Sequence, residues 1–191
     1  FYLSNPVMAL DRQLFLWVQS LTGNPVLDQA MVFLAEYLVM LVPLSLIYMW
    51  YRDREVSLFS FYTAVTGIAL SYGLGLIYAH SNPSAFFDTI VSYAPENSFP
   101  SQHTTVIIAT ALPLLYRDKE EVGALLLVSG LLTGFARVYI GEHWPMDILG
   151  AVIAATSGLL ICISTWPWLE RFWRPLIDYS REIEEYLFDK F

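Results

Sequence analysis

The sequence predicts an all-α integral membrane protein, a bundle of five to six transmembrane helices with amphipathic helices lying at the interface. Two observations predict this. First, 56% of the 191 residues are hydrophobic and only 15% are charged, where soluble domains carry about 25% charged residues. Mean hydropathy is +0.50. Second, the apolar residues gather into stretches near the ~20 residues that cross a bilayer as a helix. Residues 1–191 read as a single domain.

Residues Pro6–Leu21 come first. Asp11, Arg12 and Gln13 mix there with Leu14, Phe15, Trp17 and Val18, which suits an amphipathic helix on the membrane, with a sixth span as the alternative. Five spans follow, near Leu27–Trp50, Val56–Ala79, Pro100–Tyr116, Val122–Ile140 and Pro145–Trp166. The third is short. The last 22 residues, 170–191, set Phe172, Trp173, Leu176, Ile177, Ile183 and Leu187 at helical spacing among charges. They predict an amphipathic surface helix on the cytoplasmic side, anchored by Trp166, Trp168 and Trp173. No secretory signal is expected, because no basic start precedes a short apolar run and a small-residue cleavage site.

Charge orients the bundle. Five spans put Arg52 and Arg54 on one side with Arg117, Lys119, Arg171, Arg174, Arg181 and Lys190. The other side holds Arg12 and Arg137. The basic side is expected to be cytoplasmic. The net charge of −8 argues against a nucleic-acid partner, which would want a basic face. Cys162 is the single cysteine, so no intrachain disulfide reports the redox compartment.

Two polar runs interrupt this apolar chain on the less basic side. One is Phe99-Pro100-Ser101-Gln102-His103. The other holds Arg137, His143 and Asp147. Ionisable residues at one membrane depth mark a site by default. Pro145 suits the first turn of a helix, so His143 precedes the fifth span and Asp147 lies in its first turn. That spacing lets the carboxylate fix the tautomer of the imidazole and make it a nucleophile toward phosphorus; the alternative is a helix-capping His with a first-turn Asp favoured by the dipole. Ser98 and Pro100 suit the start of the third span, whose free N–H groups would face an anion. Ser101 adds a hydroxyl, and His103 stands one turn in, placed to protonate a leaving oxygen.

Together the runs resemble the phosphatidic-acid phosphatase type 2 superfamily. Its signature reads Lys-x6-Arg-Pro, then Pro-Ser-x-His, then Ser-Arg-x5-His-x3-Asp. Pro100-Ser101-Gln102-His103 matches the second part, with Gln102 where Gly or Asp is commoner. Arg137, His143 and Asp147 match the third, with Ala136 in place of Ser. The resemblance implies that His143 is the nucleophile forming a phosphohistidine, Asp147 its orienting partner and His103 the general acid. It implies that Arg137, Ser101 and Gln102 hold the phosphate, and that neither metal nor cofactor is needed.

The first part of the signature is missing. Asn82-Pro83 puts Asn82 where the family has Arg and Gly75 where it has Lys, and no Lys or Arg stands between Arg54 and Arg117. Removing a charge-assisted hydrogen bond to phosphate costs about 1.5–3 kcal/mol, and two such cations are absent. Asn82 and His80 are the remaining candidates on that face for binding the phosphate. Pro95-Glu96-Asn97-Ser98-Phe99-Pro100-Ser101 resembles the polyprenyl-diphosphate phosphatase branch. The implied reaction is hydrolysis of a polyprenyl or undecaprenyl diphosphate to monophosphate and phosphate. Phosphatidate and phosphatidylglycerol-phosphate are the alternative substrates. A lipid-phosphate-binding protein without activity is the alternative of another class, favoured by the absent cations. A transporter is disfavoured, because the ionisable residues gather at one face rather than at the midplane.

Overall fold

Seven α-helices and two single 3-10 turns make up the described part of the chain. The computed structural model describes residues 6–92, 94 and 97–188, and Pro95, Glu96 and residues 189–191 of the tail lie outside it. Helix α1 is Pro6–Gln19, α2 Pro25–Tyr37, α3 Leu41–Arg52, α4 Arg54–Ile77, α5 Gln102–Tyr116, α6 Glu120–Ile140 and α7 Pro145–Phe188. Among the described residues no strand forms; a single antiparallel bridge joins Ser81 to Asn97.

Four helical segments are long and apolar enough to cross a membrane: Pro25–Arg52, Arg54–Ile77, Glu120–Ile140 and Pro145–Glu184. The protein is an integral membrane protein of the all-α class. The first segment comprises α2 and α3 joined by a 3-10 turn at Leu38–Met40. Pro43 lacks the N–H that would bond the carbonyl of Val39, which accounts for the tightening there. Helix α5 has 15 residues, about 23 Å of rise. It nevertheless runs between the same two ends as α4. At one end Lys119 pairs with Asp53 at 2.9 Å and Arg117 with Glu55 at 3.3 Å. At the other, the chain entering α5 lies against Gly75 near the end of α4. Being innermost, α5 meets helices rather than lipid, and Ile107, Ile108, Ala109, Ala111 and Leu114 are all buried.

Lipid offers no hydrophobic drive between helices, so close backbone approach and internal hydrogen bonds hold such bundles. Here α7 crosses α4 where Gly158 faces Gly67: a Cβ on Gly158 would lie 3.0 Å from Gly67 N and 3.2 Å from Thr63 O. The buried hydroxyls of Thr63, Thr105, Thr110 and Ser129 bond carbonyls four residues back, which satisfies them without a partner helix.

Helix α1 has 14 residues, about 21 Å. It lies over the ends of α6 and α7. Gln19 donates to the carbonyls of Val138 and Tyr139, and Phe15, fully buried, packs against Phe87 and Trp144.

Helix α7 continues past the expected end of the span. Its 44 residues would reach about 66 Å if straight. Trp166 meets Phe59, and 18 residues later Glu184 pairs with Arg54. Phe59 and Arg54 are little more than one helical turn apart, so α7 must bend back across the base of the bundle. Pro167 and Pro175 lie inside it and are the residue type that kinks a helix. The described part of the expected surface tail is thus the bent end of α7.

Candidate active site

The two polar runs meet at the end of the bundle covered by α1. Helix α6 ends at Gly141, whose φ of +90° closes the helix. A side chain there would strike Thr89, so glycine serves both the turn and the packing. The turn lets the Arg137 carbonyl accept from the N–H groups of Glu142 and His143, at 3.0 and 3.3 Å. Arg137 and His143 therefore end on the same side.

Asp147 is fully buried in the first turn of α7. Its Oδ2 lies 3.2 Å from His143 Nδ1 and accepts the Trp144 N–H at 2.9 Å. Its Oδ1 lies 2.7 Å from His80 Nε2. A carboxylate on Nδ1 holds that proton and leaves Nε2 of a neutral ring as the nucleophilic nitrogen. The Asp147 carbonyl also accepts from the Ser101 N–H at 3.2 Å, which ties the start of α5 to the start of α7.

A cavity of about 390 Å³ opens here. Arg137, Glu142, His143, Gln102 and His103 line it, with Asn97, Ser98, Phe99 and Pro100 of the preceding loop and Ser71, Tyr72, Gly75 and Leu76 of α4. Of the eight residues expected at the site, His143, His103, Arg137 and Gln102 face the cavity, and Asp147 stands directly behind His143. Ser101, Asn82 and His80 do not line it. The Ser101 hydroxyl is buried against the Thr104 hydroxyl at 3.0 Å. Asn82, 4% exposed, donates to the Ala94 carbonyl at 3.1 Å and so pins the loop. His80 is taken up by Asp147.

Gly75 also differs from its reading as a missing lysine. A Cβ there would lie 2.7 Å from Phe99 O, and the Gly75 carbonyl accepts from Asn97 Nδ2 at 2.9 Å. The loop rests directly on the helix, so this backbone has no room for any longer side chain.

Two residues escaped the sequence reading. Glu142 forms an ion pair with Arg137 inside the cavity, and its Oε2 and Arg137 Nε have no partner. Its signal was an acid between Arg137 and His143. Asp11 of α1 accepts the Met146 N–H at 2.9 Å, capping α7 one residue before Asp147. It shares a face with Phe15 and Val18, both buried, and an acid on an apolar face was the signal. Burial pushes its carboxyl up to about 6, with Asp147 adding to the rise; the Met146 hydrogen bond and His80 oppose it. Among the described residues no cluster of three or more His, Cys, Asp or Glu side chains could hold a metal ion.

Comparison with known proteins places this geometry. The chain is 35% identical over 138 residues to the undecaprenyl-diphosphatase BcrC of Bacillus subtilis, spanning 69% of this chain and 71% of that one. It is 31% identical over 143 residues to the putative undecaprenyl-diphosphatase YbjG of Escherichia coli, with 71% of each covered. Its fold matches that of LpxE from Aquifex aeolicus at a TM-score of 0.71 and 22% identity, over 81% of this chain and 95% of that one. It also matches a transmembrane PAP2-type phosphatidylglycerolphosphate phosphatase from Bacillus subtilis at 0.66 and 22%, over 88% and 90%. The model of the PAP2 superfamily matches residues 58–171, from α4 to α7 and across both polar runs, and the chain belongs to that superfamily.

Proposed function

We propose that this protein hydrolyses a lipid diphosphate to the lipid monophosphate and inorganic phosphate through a phosphohistidine at His143. The observation that carries the reading is the His143–Asp147 pair set at the wall of a cavity that His103 and Arg137 also line. His143 Nε2 attacks the terminal phosphorus. The bond from phosphorus to the bridging oxygen breaks, and His103 gives its proton to that leaving oxygen. Arg137 and the first N–H groups of α5 draw on the charge of the phosphoryl oxygens. Water then attacks the phosphohistidine, His103 takes up its proton, and inorganic phosphate leaves.

A lipid substrate fits the cavity's walls. Tyr72 and Leu76 of α4 line it and are 57% and 89% exposed, so one side is an apolar helix face where a chain can lie in the bilayer while its phosphate reaches His143. The names of the relatives support undecaprenyl diphosphate as the substrate. The cations Arg52, Arg54, Arg117 and Lys119 stand at the opposite end of the bundle, which supports an extracytoplasmic site.

The second reading is a lipid-phosphate binder with little or no turnover. What favours it is that Arg137 is the single Lys or Arg among the lining residues, and it is tied to Glu142. Phosphate release by purified protein in detergent with chelator decides, using undecaprenyl diphosphate, phosphatidate and phosphatidylglycerol-phosphate beside His143→Ala. Release from the diphosphate that the variant abolishes supports the first reading. Binding without release, unchanged in the variant, supports the second. Release from one of the other two lipids moves the substrate and keeps the chemistry.

A further inference from the structure

Asp147 carries two imidazoles. Its Oδ2 receives the Nδ1–H of His143 and the N–H of Trp144, while on Oδ1 the structure places His80 Nε2 at 2.7 Å. The Asp147 side chain is fully buried and that of His80 is 6% exposed, so water cannot readily take His80's place. A buried carboxylate oxygen without a donor is costly.

The His80 backbone is fixed on both sides. Its N–H bonds Asn97 Oδ1 at 3.2 Å, and its carbonyl accepts from Ser98 N–H at 3.0 Å. Asn97 in turn holds the Gly75 carbonyl of α4. The His80 ring lies against Tyr78, with centroids 5.2 Å apart, and nearly parallel to Trp144 at 6.3 Å and 22°. The neighbouring charged groups are Asp147 itself and Asp11 of α1. The His80 side chain does not line the cavity.

We propose that His80 is a positioning residue of the reaction: by donating to Asp147 Oδ1 it keeps the carboxylate turned to His143 Nδ1, and so keeps His143 Nε2 free to attack. This rests on the proposed role of His143. No bond to His80 forms or breaks. Without the donor, Asp147 either turns away or takes up a proton. A protonated Asp147 donates to His143 Nδ1 instead, which moves the ring proton to Nε2 and removes the attacking lone pair.

The test compares His80→Phe and His80→Gln in the full chain. Phe keeps a ring between Tyr78 and Trp144 with no donor; Gln restores an N–H of similar reach. His80→Phe should lower kcat for undecaprenyl diphosphate by about 10- to 100-fold. KM and the inhibition constant of inorganic phosphate should stay within about twofold, since the hydrogen bond removed does not involve phosphate. His80→Gln should recover most of kcat. The chain has three histidines, so nitrogen-15 spectra of histidine-labelled protein report each ring. The His143 signals should show the Nδ1–H tautomer in the wild type and in His80→Gln, and lose it in His80→Phe. Wild-type kcat with unchanged His143 signals in His80→Phe would overturn the proposal. A raised KM and phosphate inhibition constant at unchanged kcat would also overturn it, making His80 a phosphate ligand. If the wild type releases no phosphate, the proposed function fails by itself, and the spectra still decide the role of His80.

Discussion

At the residue scale, each side chain around the cavity leads to a distinct effect. Asp147→Asn leaves the size of the side chain and changes its hydrogen bonding. The amide can offer its N–H to His143 Nδ1 and favour the unreactive tautomer, so kcat should fall by roughly 10²–10⁴-fold, measured as phosphate release at saturating lipid. Glu142 acts in the opposite sense. Its carboxylate sits on Arg137, the single Lys or Arg lining the cavity, and an incoming phosphate must compete with it. Two like charges ~5 Å apart at an effective dielectric of ~20 repel by ~3 kcal/mol, and water in the open cavity reduces that. Glu142→Gln should therefore tighten inhibition by inorganic phosphate by about tenfold. Weaker inhibition in that variant would mean that the carboxylate orients Arg137 rather than masks it.

At the element scale, α1 and the α4–α7 crossing carry the predictions. Asp11 caps α7, and a helix N-terminus favours a negative charge there, yet burial outweighs that and holds the carboxyl up at about 6. The folded protein thus holds a proton at Asp11 that the unfolded chain gives up near pH 4. The stability linked to this proton is present at low pH and is lost as pH rises through about 6. Asp11→Asn keeps an acceptor for the Met146 N–H and cannot ionise. The thermal midpoint of the wild type relative to this variant should fall between pH 5 and pH 7. A constant difference over that range would mean that Asp11 does not titrate there. At the crossing, any side chain on Gly158 meets the backbone of Gly67 and Thr63. Gly158→Val forces α4 and α7 apart and should cost about 1–3 kcal/mol, read as a lower unfolding temperature in detergent.

At the scale of the whole molecule, the site and the ion pairs of Arg117, Lys119 and Arg54 occupy opposite ends of one bundle. The positive-inside bias then predicts that the site end is extracytoplasmic. Cys162 is buried, so a Cys162→Ser background supports single added cysteines. An impermeant thiol reagent on intact cells should label Ser20→Cys, beside α1 at the site end, and leave Glu121→Cys unlabelled. The reverse pattern would place the site in the cytoplasm.

The sequence by itself determined the helices and the local grouping of Arg137, His143 and Asp147. Helices arise from local periodicity and apolar length, and the Arg137–His143–Asp147 spacing lies within one helix end, one turn and the next helix start, where neighbours in sequence are neighbours in space. The α1 segment was legible for the same reason. The tertiary structure decided which groups share a carboxylate and which face the cavity. His80 and Asp147 lie 67 residues apart, and only tertiary packing turns His80 onto Asp147 Oδ1. Ser101 meets the Thr104 hydroxyl and Asn82 donates to the Ala94 carbonyl, so two polar residues that read as phosphate ligands do not line the cavity. Residue type tells what a side chain can bond; its direction comes from packing, and here that direction separates the residues that line the cavity from those that do not.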